Sequence, residues 1–198
     1  ILLRMGKPLR EGEESAMGSQ LQSAGVPILY RLHGDARAEG GDLLWIDHDT
    51  LAVGQGFRTN AEGLRQLREA LDPLGVTTVT ADLPYGQGRE ACLHLMSLIS
   101  MIRANLAVIY EPLLPAPLHE FLADRGVRFV TVPDEEFGSM ACNVLAVAPG
   151  DCIMLEGNPV TRARLERAGC RVRTYRGNEI SLKAEGGPTC LTRPLLRR

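Results

Sequence analysis

The hydrophobic and polar positions of the chain follow two periods, and their alternation repeats. Apolar residues three and four apart predict amphipathic helices, as at Leu64, Leu67 and Leu71. Four times a helical stretch runs into a glycine, which supplies the left-handed backbone that ends a helix. These glycines are Gly25, Gly75, Gly126 and Gly169. Short runs rich in β-branched residues follow them directly and predict strands at 26–30, 76–79, 127–130 and 170–173.

A pair of short predicted strands precedes each of the last three helices. The pairs are 43–46 with 51–54, 96–101 with 107–110, and 144–147 with 152–156. The repeated unit is therefore strand, strand, helix, strand, at intervals of roughly forty to fifty residues. Such a unit cannot bury its own apolar face, so we predict an α/β ring of small mixed sheets with helices outside. A doubly wound α/β domain is the alternative, but its units would not show paired strands before each helix.

The start of the chain is read as incomplete. The first helix, at about 11–23, has little chain before it, and residues 1–3 resemble the middle of a strand. We therefore expect the natural N-terminus and one N-terminal unit of the ring to be missing. We treat residues 1–198 as a single catalytic domain.

Composition narrows the class of protein. The 198 residues are 44% apolar and 23% charged, with a net charge of −2. Basic residues form no stripe, and no apolar run approaches a membrane span, so we predict neither nucleic-acid nor membrane partners. The five cysteines form no CxxC pair, and most lie in apolar, strand-like runs, which favours reduced thiols and a cytoplasmic location. They are Cys92, Cys142, Cys152, Cys170 and Cys190.

Few residues offer candidate chemistry. The four histidines have no His or Cys partner at metal-ligand spacing, and no phosphate-binding glycine loop is present, so we predict no metal and no cofactor. Cys190, His94 and Glu39 are candidates, but each has a structural interpretation. Cys190 alone is more typical of a small buried hydrophobe, His94 of a half-buried core histidine, and Glu39 of a solvated turn carboxylate. Spacing alone does not bring the three together.

Five short motifs, in a particular order along the chain, favour a catalytic interpretation of these three residues over a structural one. They are 4–10 followed by Glu14, Glu-Gly-Gly-Asp at 39–42, Arg-Thr-Asn at 58–60, Leu-His-Leu at 93–95, and Gly-Pro-Thr-Cys at 187–190. In this order, and across essentially the whole chain, they resemble the guanidine-modifying pentein superfamily. That superfamily includes arginine deiminase, dimethylarginine dimethylaminohydrolase, agmatine deiminase and the arginine:glycine amidinotransferases. The resemblance implies a five-bladed α/β propeller, which agrees with the repeat.

The resemblance also implies roles for the three candidate catalytic residues. Cys190 matches the nucleophile, His94 the general acid and base, and Glu39 the carboxylate that orients the histidine. A guanidinium is stabilised by resonance, so its attack requires a strong nucleophile such as a thiolate. A cationic substrate also favours the thiolate by proximity. The implied reaction passes through a covalent thiouronium intermediate and releases a ureido product.

Substrate contacts are implied in the same way. Arg10 and Arg58 match arginines that hold the substrate's carboxylate, to which their planar guanidinium groups suit paired hydrogen bonds. Without the resemblance, both would be read as surface charges. Ala184 falls where a backbone carbonyl meets the substrate's amine. The family also clamps the guanidinium with an acid in a Phe-x-x-Asp-like segment, expected upstream of the Arg10 motif.

One departure from the family pattern bears on the substrate. Several members carry His-x-Asp, whereas here Met96 stands two residues beyond His94. The dimethylarginine hydrolases also lack that aspartate, and a methionine suits the methyl groups of their substrate. An equally simple interpretation is that Met96 begins a buried strand. The departure still favours N-methylated arginine over arginine.

Three functional hypotheses follow. The leading one is a cysteine-dependent amidinohydrolase that converts an arginine-like small molecule, preferentially N-methylated arginine, to citrulline and an amine. Arginine deiminase or amidinotransferase activity is the alternative, although an amidinotransferase is disfavoured by the missing aspartate. A non-catalytic binding protein on the same fold is the third and is disfavoured by the retained Cys190, His94 and Glu39. A homodimer is a candidate assembly.

Overall fold

The fold is described from a computed structural model, which covers residues 1–91 and 93–195 in sufficient detail. The chain forms two compact units. One runs from Ile1 to Leu95, and the other begins at Met96.

The first unit opens with irregular chain followed by helix α1, Glu13–Ser23. Leu2 forms an isolated parallel bridge with Arg31. The strand predicted at 26–30 is wrong, because no ladder forms there. The amide of Leu2 donates to Tyr30 O at 2.8 Å, and the carbonyl of Leu2 accepts from Leu32 N at 3.0 Å, but this one bridge does not make a strand.

A three-stranded sheet completes the first unit. Its elements are β1 Leu43–Trp45, β2 Thr50–Gln55, α2 Ala61–Leu71 and β3 Thr77–Asp82. Strand β1 pairs antiparallel with β2, and α2 returns the chain so that β3 pairs parallel with β2. Asn60 caps α2 by accepting a hydrogen bond from Gly63 N at 2.8 Å. The apolar face of α2 packs with Leu51 and Val53 of β2 in one core cluster.

The second unit contains the same arrangement twice. The first copy consists of β4 Ile99–Arg103, β5 Leu106–Ile109, α3 Ala116–Asp124 and β6 Arg128–Thr131. After the short helix α4, Asp134–Phe137, the second copy consists of β7 Leu145–Ala148, β8 Asp151–Leu155, α5 Pro159–Arg167 and β9 Arg171–Tyr175. In both copies the first two strands are antiparallel and the last two parallel. The core includes Val108, Cys152 and Leu165.

The predicted repeat is therefore confirmed. Each described sheet has three strands in chain order, which excludes the single continuous sheet of a doubly wound domain. All four predicted helix-ending glycines have left-handed backbone, with φ between +75° and +83°. The strand predicted from residue 96 begins only at Ile99, because Leu95–Ser97 forms a 3-10 turn. No helix in the described residues is long and apolar enough to cross a membrane.

Gly63→Ala tests how closely α2 packs on the preceding loop. Alanine normally stabilises a helix interior by about 1 kcal/mol over glycine. Here a Cβ at Gly63 would lie 2.0 Å from the carbonyl oxygen of Arg37, which is backbone and cannot move away cheaply. We expect the free energy of unfolding to fall by about 1–3 kcal/mol, measured by urea denaturation. Gly138→Ala is the matched control, because no atom lies within 4 Å and φ is −64°. Equal stability of the two variants would contradict the packing.

Candidate active site

Glu39 is the centre of the polar cluster in the first unit. It lies just before the 3-10 turn Gly40–Asp42 that leads into β1, and it is 2% exposed. Its Oε1 accepts from the backbone amides of Gly6 and Lys7 at 2.9 and 3.2 Å. The same oxygen lies 3.2 Å from Arg58 Nη1, and Oε2 lies 2.9 Å from His94 Nε2. Four of the sequence motifs thus meet at one carboxylate.

The ionisation of Glu39 fixes the proton on His94. Burial raises the pKa of Glu39, but the hydrogen bond and charge of His94, with the charge and hydrogen bond of Arg58, outweigh burial and lower the pKa to about 2. An ionised carboxylate can only accept hydrogen bonds. The Nε2 of His94 therefore donates to Glu39, and in the neutral ring Nδ1 carries the lone pair. This is the orientation expected of a carboxylate-positioned general base.

Two glycines of the motifs are explained by close approach to this cluster. A Cβ at Gly41 would lie 2.7 Å from Cγ and Nδ1 of His94. A Cβ at Gly6 would lie 2.4 Å from the carbonyl oxygen of Arg58. Any side chain at Gly41 would displace the imidazole ring, so this position requires glycine if His94 is to reach Glu39.

Asp42 and Thr59 form a second buried layer that the motif reading did not assign. Asp42 is fully buried and accepts from Thr59 Oγ1 at 2.6 Å and from Leu95 N at 2.9 Å. Burial raises its pKa, although the charge of His94 and these two hydrogen bonds oppose the increase. Thr59 Oγ1 in turn accepts from Glu39 N at 3.2 Å. The only sequence signal was that both residues stand inside motifs.

The two predicted carboxylate-binding arginines lie beside Glu39. Arg58 is 6% exposed, and its guanidinium contacts Glu39, so it is not a surface charge. Arg10 is more exposed; it binds Glu13 at 2.7 Å and lies 3.7 Å from Glu39 Oε2. Binding of a substrate carboxylate by these arginines remains a prediction.

A cleft opens beside Arg58 within the first unit. Its volume is about 370 Å³, and its lining includes Phe57, Tyr85 and Leu93. Phe57 and Tyr85 meet edge to face, with ring centroids 5.6 Å apart. A cleft of this volume lies within the size range of small-molecule sites.

Cys190 and Ala184, the remaining predicted site residues, belong to the second unit. Both are exposed, and they lie in the segment that follows β9. The sulfur of Cys190 accepts a hydrogen bond from Asn143 Nδ2 at 3.3 Å. Asn143 was not among the residues predicted from the sequence, although a polar amide between Cys142 and Val144, just before a strand, was an available signal.

The other described cysteines differ from Cys190. Cys142, Cys152 and Cys170 are buried and unbridged, as predicted for reduced core thiols, whereas Cys190 is exposed. Burial raises the pKa of the Cys142 thiol, and burial together with Cys170 raises that of Cys152 to about 12. Buried thiols of this kind are unreactive, which leaves Cys190 as the exposed thiol among the described cysteines. Cys92 lies outside the described residues.

One group of described side chains has the spacing of a metal site. Ligand atoms of Asp47, His48 and Asp49 lie within 4.8 Å of one another in the turn between β1 and β2. All three residues are exposed, and exposed acidic turns commonly occur without an ion. We assign no metal to them.

Comparison with known sequences identifies relatives of this chain. The sequence model of the arginine deiminase family matches residues 23–120 and 110–197. The chain is 31% identical over 197 residues to the uncharacterized protein YkgA of Bacillus subtilis, covering 100% of this chain and 65% of YkgA. It is 29% identical over 203 residues to an arginine deiminase of Rhodococcus erythropolis, covering 87% of this chain and 49% of that enzyme. The chain thus spans 65% of the length of YkgA and 49% of the length of that arginine deiminase.

Solved structures show the same fold. Dimethylarginine dimethylaminohydrolase (DDAH) of Pseudomonas aeruginosa, solved as a variant with citrulline, has a TM-score of 0.76 and 25% identity, over 94% of this chain and 67% of the enzyme. The N-terminal domain of ArgZ, a cyanobacterial arginine dihydrolase solved with its product, has a TM-score of 0.81 and 25% identity, over 98% of this chain and 71% of that domain.

The repeated sheets and these likenesses define a class, the α/β pentein fold of arginine-modifying hydrolases and deiminases. The mixed α/β pentein fold implied by the sequence motifs is thereby confirmed, with three small mixed sheets in the described residues. Because the family model matches most of the chain, the chain belongs to the arginine deiminase family.

Acid titration tests the charge state of Glu39. Its folded pKa, about 2, lies below the ordinary 4.5, so its stabilising contribution is present above pH 4.5 and is lost as the pH falls toward 2. Glu39→Gln removes this group. We expect the free energy of unfolding to fall more steeply between pH 5 and 2 in the unmodified protein than in the variant, by on the order of 3 kcal/mol. The measurement is urea denaturation across that range.

A matched control for this titration is Glu120→Gln, which alters an exposed carboxylate on α3. Its stability should follow the pH dependence of the unmodified protein. If Glu39→Gln also runs parallel to the unmodified protein, the ionised, buried carboxylate is refuted.

Proposed function

We propose that this protein is a cysteine-dependent amidinohydrolase that acts on the guanidinium group of an arginine-like small molecule. N-methylated arginine is the preferred substrate, and citrulline and a methylamine are the products. The proposal is carried by the hydrogen bond between His94 and the ionised Glu39, at 2.9 Å, in a member of the arginine deiminase family. A relative with this fold, DDAH, binds citrulline in its crystal structure.

The first half of the reaction transfers the amidino carbon to sulfur. The thiolate of Cys190 attacks the guanidinium carbon, forming a C–S bond and a tetrahedral adduct. His94 donates a proton to the departing nitrogen as its C–N bond breaks, so that ammonia or a methylamine leaves. The product of this step is a covalent thiouronium, and His94 is left neutral.

The second half releases the ureido product. Neutral His94 accepts a proton from water, whose oxygen attacks the thiouronium carbon. The C–S bond then breaks, and the thiolate of Cys190 and protonated His94 are regenerated. Overall, one water is consumed, and citrulline and one amine are formed. Glu39 favours this sequence because its negative charge stabilises the imidazolium formed in each cycle.

Arginine deiminase activity is the second candidate and is favoured by the family match and by named relatives. It differs only in the leaving group, ammonia instead of a methylamine. An amidinotransferase would use an acceptor amine in place of water, and a binding protein would form no product. Product analysis therefore separates the four alternatives.

Turnover assays test the proposed roles of Cys190 and His94. The protein is incubated with dimethylarginine and with arginine, and citrulline and the released amine are quantified. We expect citrulline from at least one substrate, and a decrease in kcat of about 10³-fold or more in Cys190→Ser and His94→Ala, because each removes a bond-forming or proton-transferring group.

His48→Ala, at an exposed turn, is the matched control for His94→Ala and should retain full activity. Absence of citrulline from both substrates would refute the proposed function. Full activity in Cys190→Ser or in His94→Ala would refute that residue's role.

A substitution at Met96 tests substrate preference. A methionine offers an apolar contact to N-methyl groups, whereas a carboxylate accepts hydrogen bonds from an unsubstituted guanidinium. We expect Met96→Asp to raise the ratio of kcat/KM for arginine to that for dimethylarginine by about tenfold. Met17→Asp, on α1, should leave the ratio unchanged. An unchanged ratio in Met96→Asp would remove Met96 from substrate selection.

A further inference from the structure

Asn143 is a buried residue, and the hydroxyl group of Ser100 bonds the backbone of both of its neighbours in the chain. Asn143 is only 7% exposed and lies in the segment between α4 and β7. Ser100 Oγ, in β4, donates to Cys142 O at 2.6 Å and accepts from Val144 N at 3.2 Å. These two hydrogen bonds hold the residues before and after Asn143, so they fix the position of its backbone within the second unit.

The orientation of the Asn143 amide is set by its partners. Oδ1 accepts from the backbone N and from Oγ1 of Thr189, both at 2.9 Å. The reversed amide would place its NH₂ group against the Thr189 N–H, and two donors would face each other. Nδ2 must therefore point the other way, where the sulfur of Cys190 lies 3.3 Å away.

Gly187 allows the cysteine loop to rest directly on this amide. A Cβ at Gly187 would lie 2.4 Å from Cγ and 2.5 Å from Oδ1 of Asn143, so only glycine permits the contact. The loop then turns back on itself, with Cys190 N donating to Gly187 O at 3.0 Å. Asn143 thus contacts the loop at Gly187, at Thr189 and at the sulfur of Cys190.

We propose that Asn143 is a positioning residue for Cys190: its oxygen holds the loop, and its N–H stabilises the thiolate in the attacking orientation. This inference rests on the proposed role of Cys190 as nucleophile. An N–H donor stabilises a sulfur anion more than a neutral thiol, because a hydrogen bond to a charged acceptor is about twice as strong as one to a neutral acceptor. A purely structural role would need only the oxygen.

Asn143→Asp separates the two functions of the amide. Aspartate has nearly the same shape and keeps an oxygen for Thr189, but it replaces the donor to sulfur with a negatively charged acceptor. We expect iodoacetamide to alkylate Cys190 about tenfold or more slowly at pH 7, and the midpoint of the pH–rate profile to move to higher pH. Alkylation is followed by mass spectrometry of the peptide that contains Cys190, so the other cysteines do not contribute.

Asn178→Asp is the matched control, because it makes the same charge change at an exposed position of the same unit. It should react at the unmodified rate. Thr189→Val removes the hydroxyl contacts to Asn143 Oδ1 at 2.9 Å and to the Cys190 sulfur at 4.0 Å but leaves the Asn143 N–H in place, and it should slow alkylation by less than about threefold. An unmodified alkylation rate in folded Asn143→Asp would overturn the proposal.

A measurement on the unmodified protein covers the case in which Asn143→Asp does not fold. The side-chain NH₂ signal of Asn143 in ¹⁵N NMR should titrate with the same midpoint as alkylation, and this titration should be absent in Cys190→Ala. A signal that does not respond to pH would overturn the proposal. Neither experiment requires turnover: absence of citrulline refutes the proposed function alone, and an unresponsive thiol refutes the role of Asn143 alone.

Discussion

The buried carboxylate of Glu39 is the constraint on which the polar half of the first unit depends. An isolated ionised carboxylate in a protein interior is strongly unfavourable unless donors replace its lost hydration. Glu39 receives those donors from three separate stretches of chain: the N-terminal loop, the turn after β2 and the segment that carries His94. Satisfying one carboxylate therefore fixes three loops at once.

The same constraint links structure to chemistry. Because His94 and Arg58 keep Glu39 ionised, Glu39 in turn fixes which imidazole nitrogen carries the proton. The neighbouring Asp42 has the opposite tendency, since burial dominates and raises its pKa. These two acids, three residues apart, differ in the direction of their pKa shift because His94 and Arg58 together outweigh the burial of Glu39, whereas the charge of His94 and two hydrogen bonds do not outweigh the burial of Asp42.

The second unit provides a different local environment around sulfur. Three of its four described cysteines lie in the core, and the fourth, Cys190, is exposed on a loop that contacts Asn143. If one cysteine is the nucleophile, as proposed, its thiol must be more reactive than the other thiols of the unit. Exposure and the hydrogen bond from Asn143 distinguish Cys190 from the three core cysteines of this unit.

The sequence by itself determined the repeat, the helix ends and the identity of most candidate residues. These features are local: period, glycine position and motif order are written in consecutive residues. Tertiary structure alone decided that segment 26–30 forms no strand, that Arg58 is buried against Glu39 instead of lying at the surface, and that Asn143 meets Cys190. The physical reason is that each depends on a partner 19 or more residues away, and backbone donors such as Gly6 N have no side-chain signature.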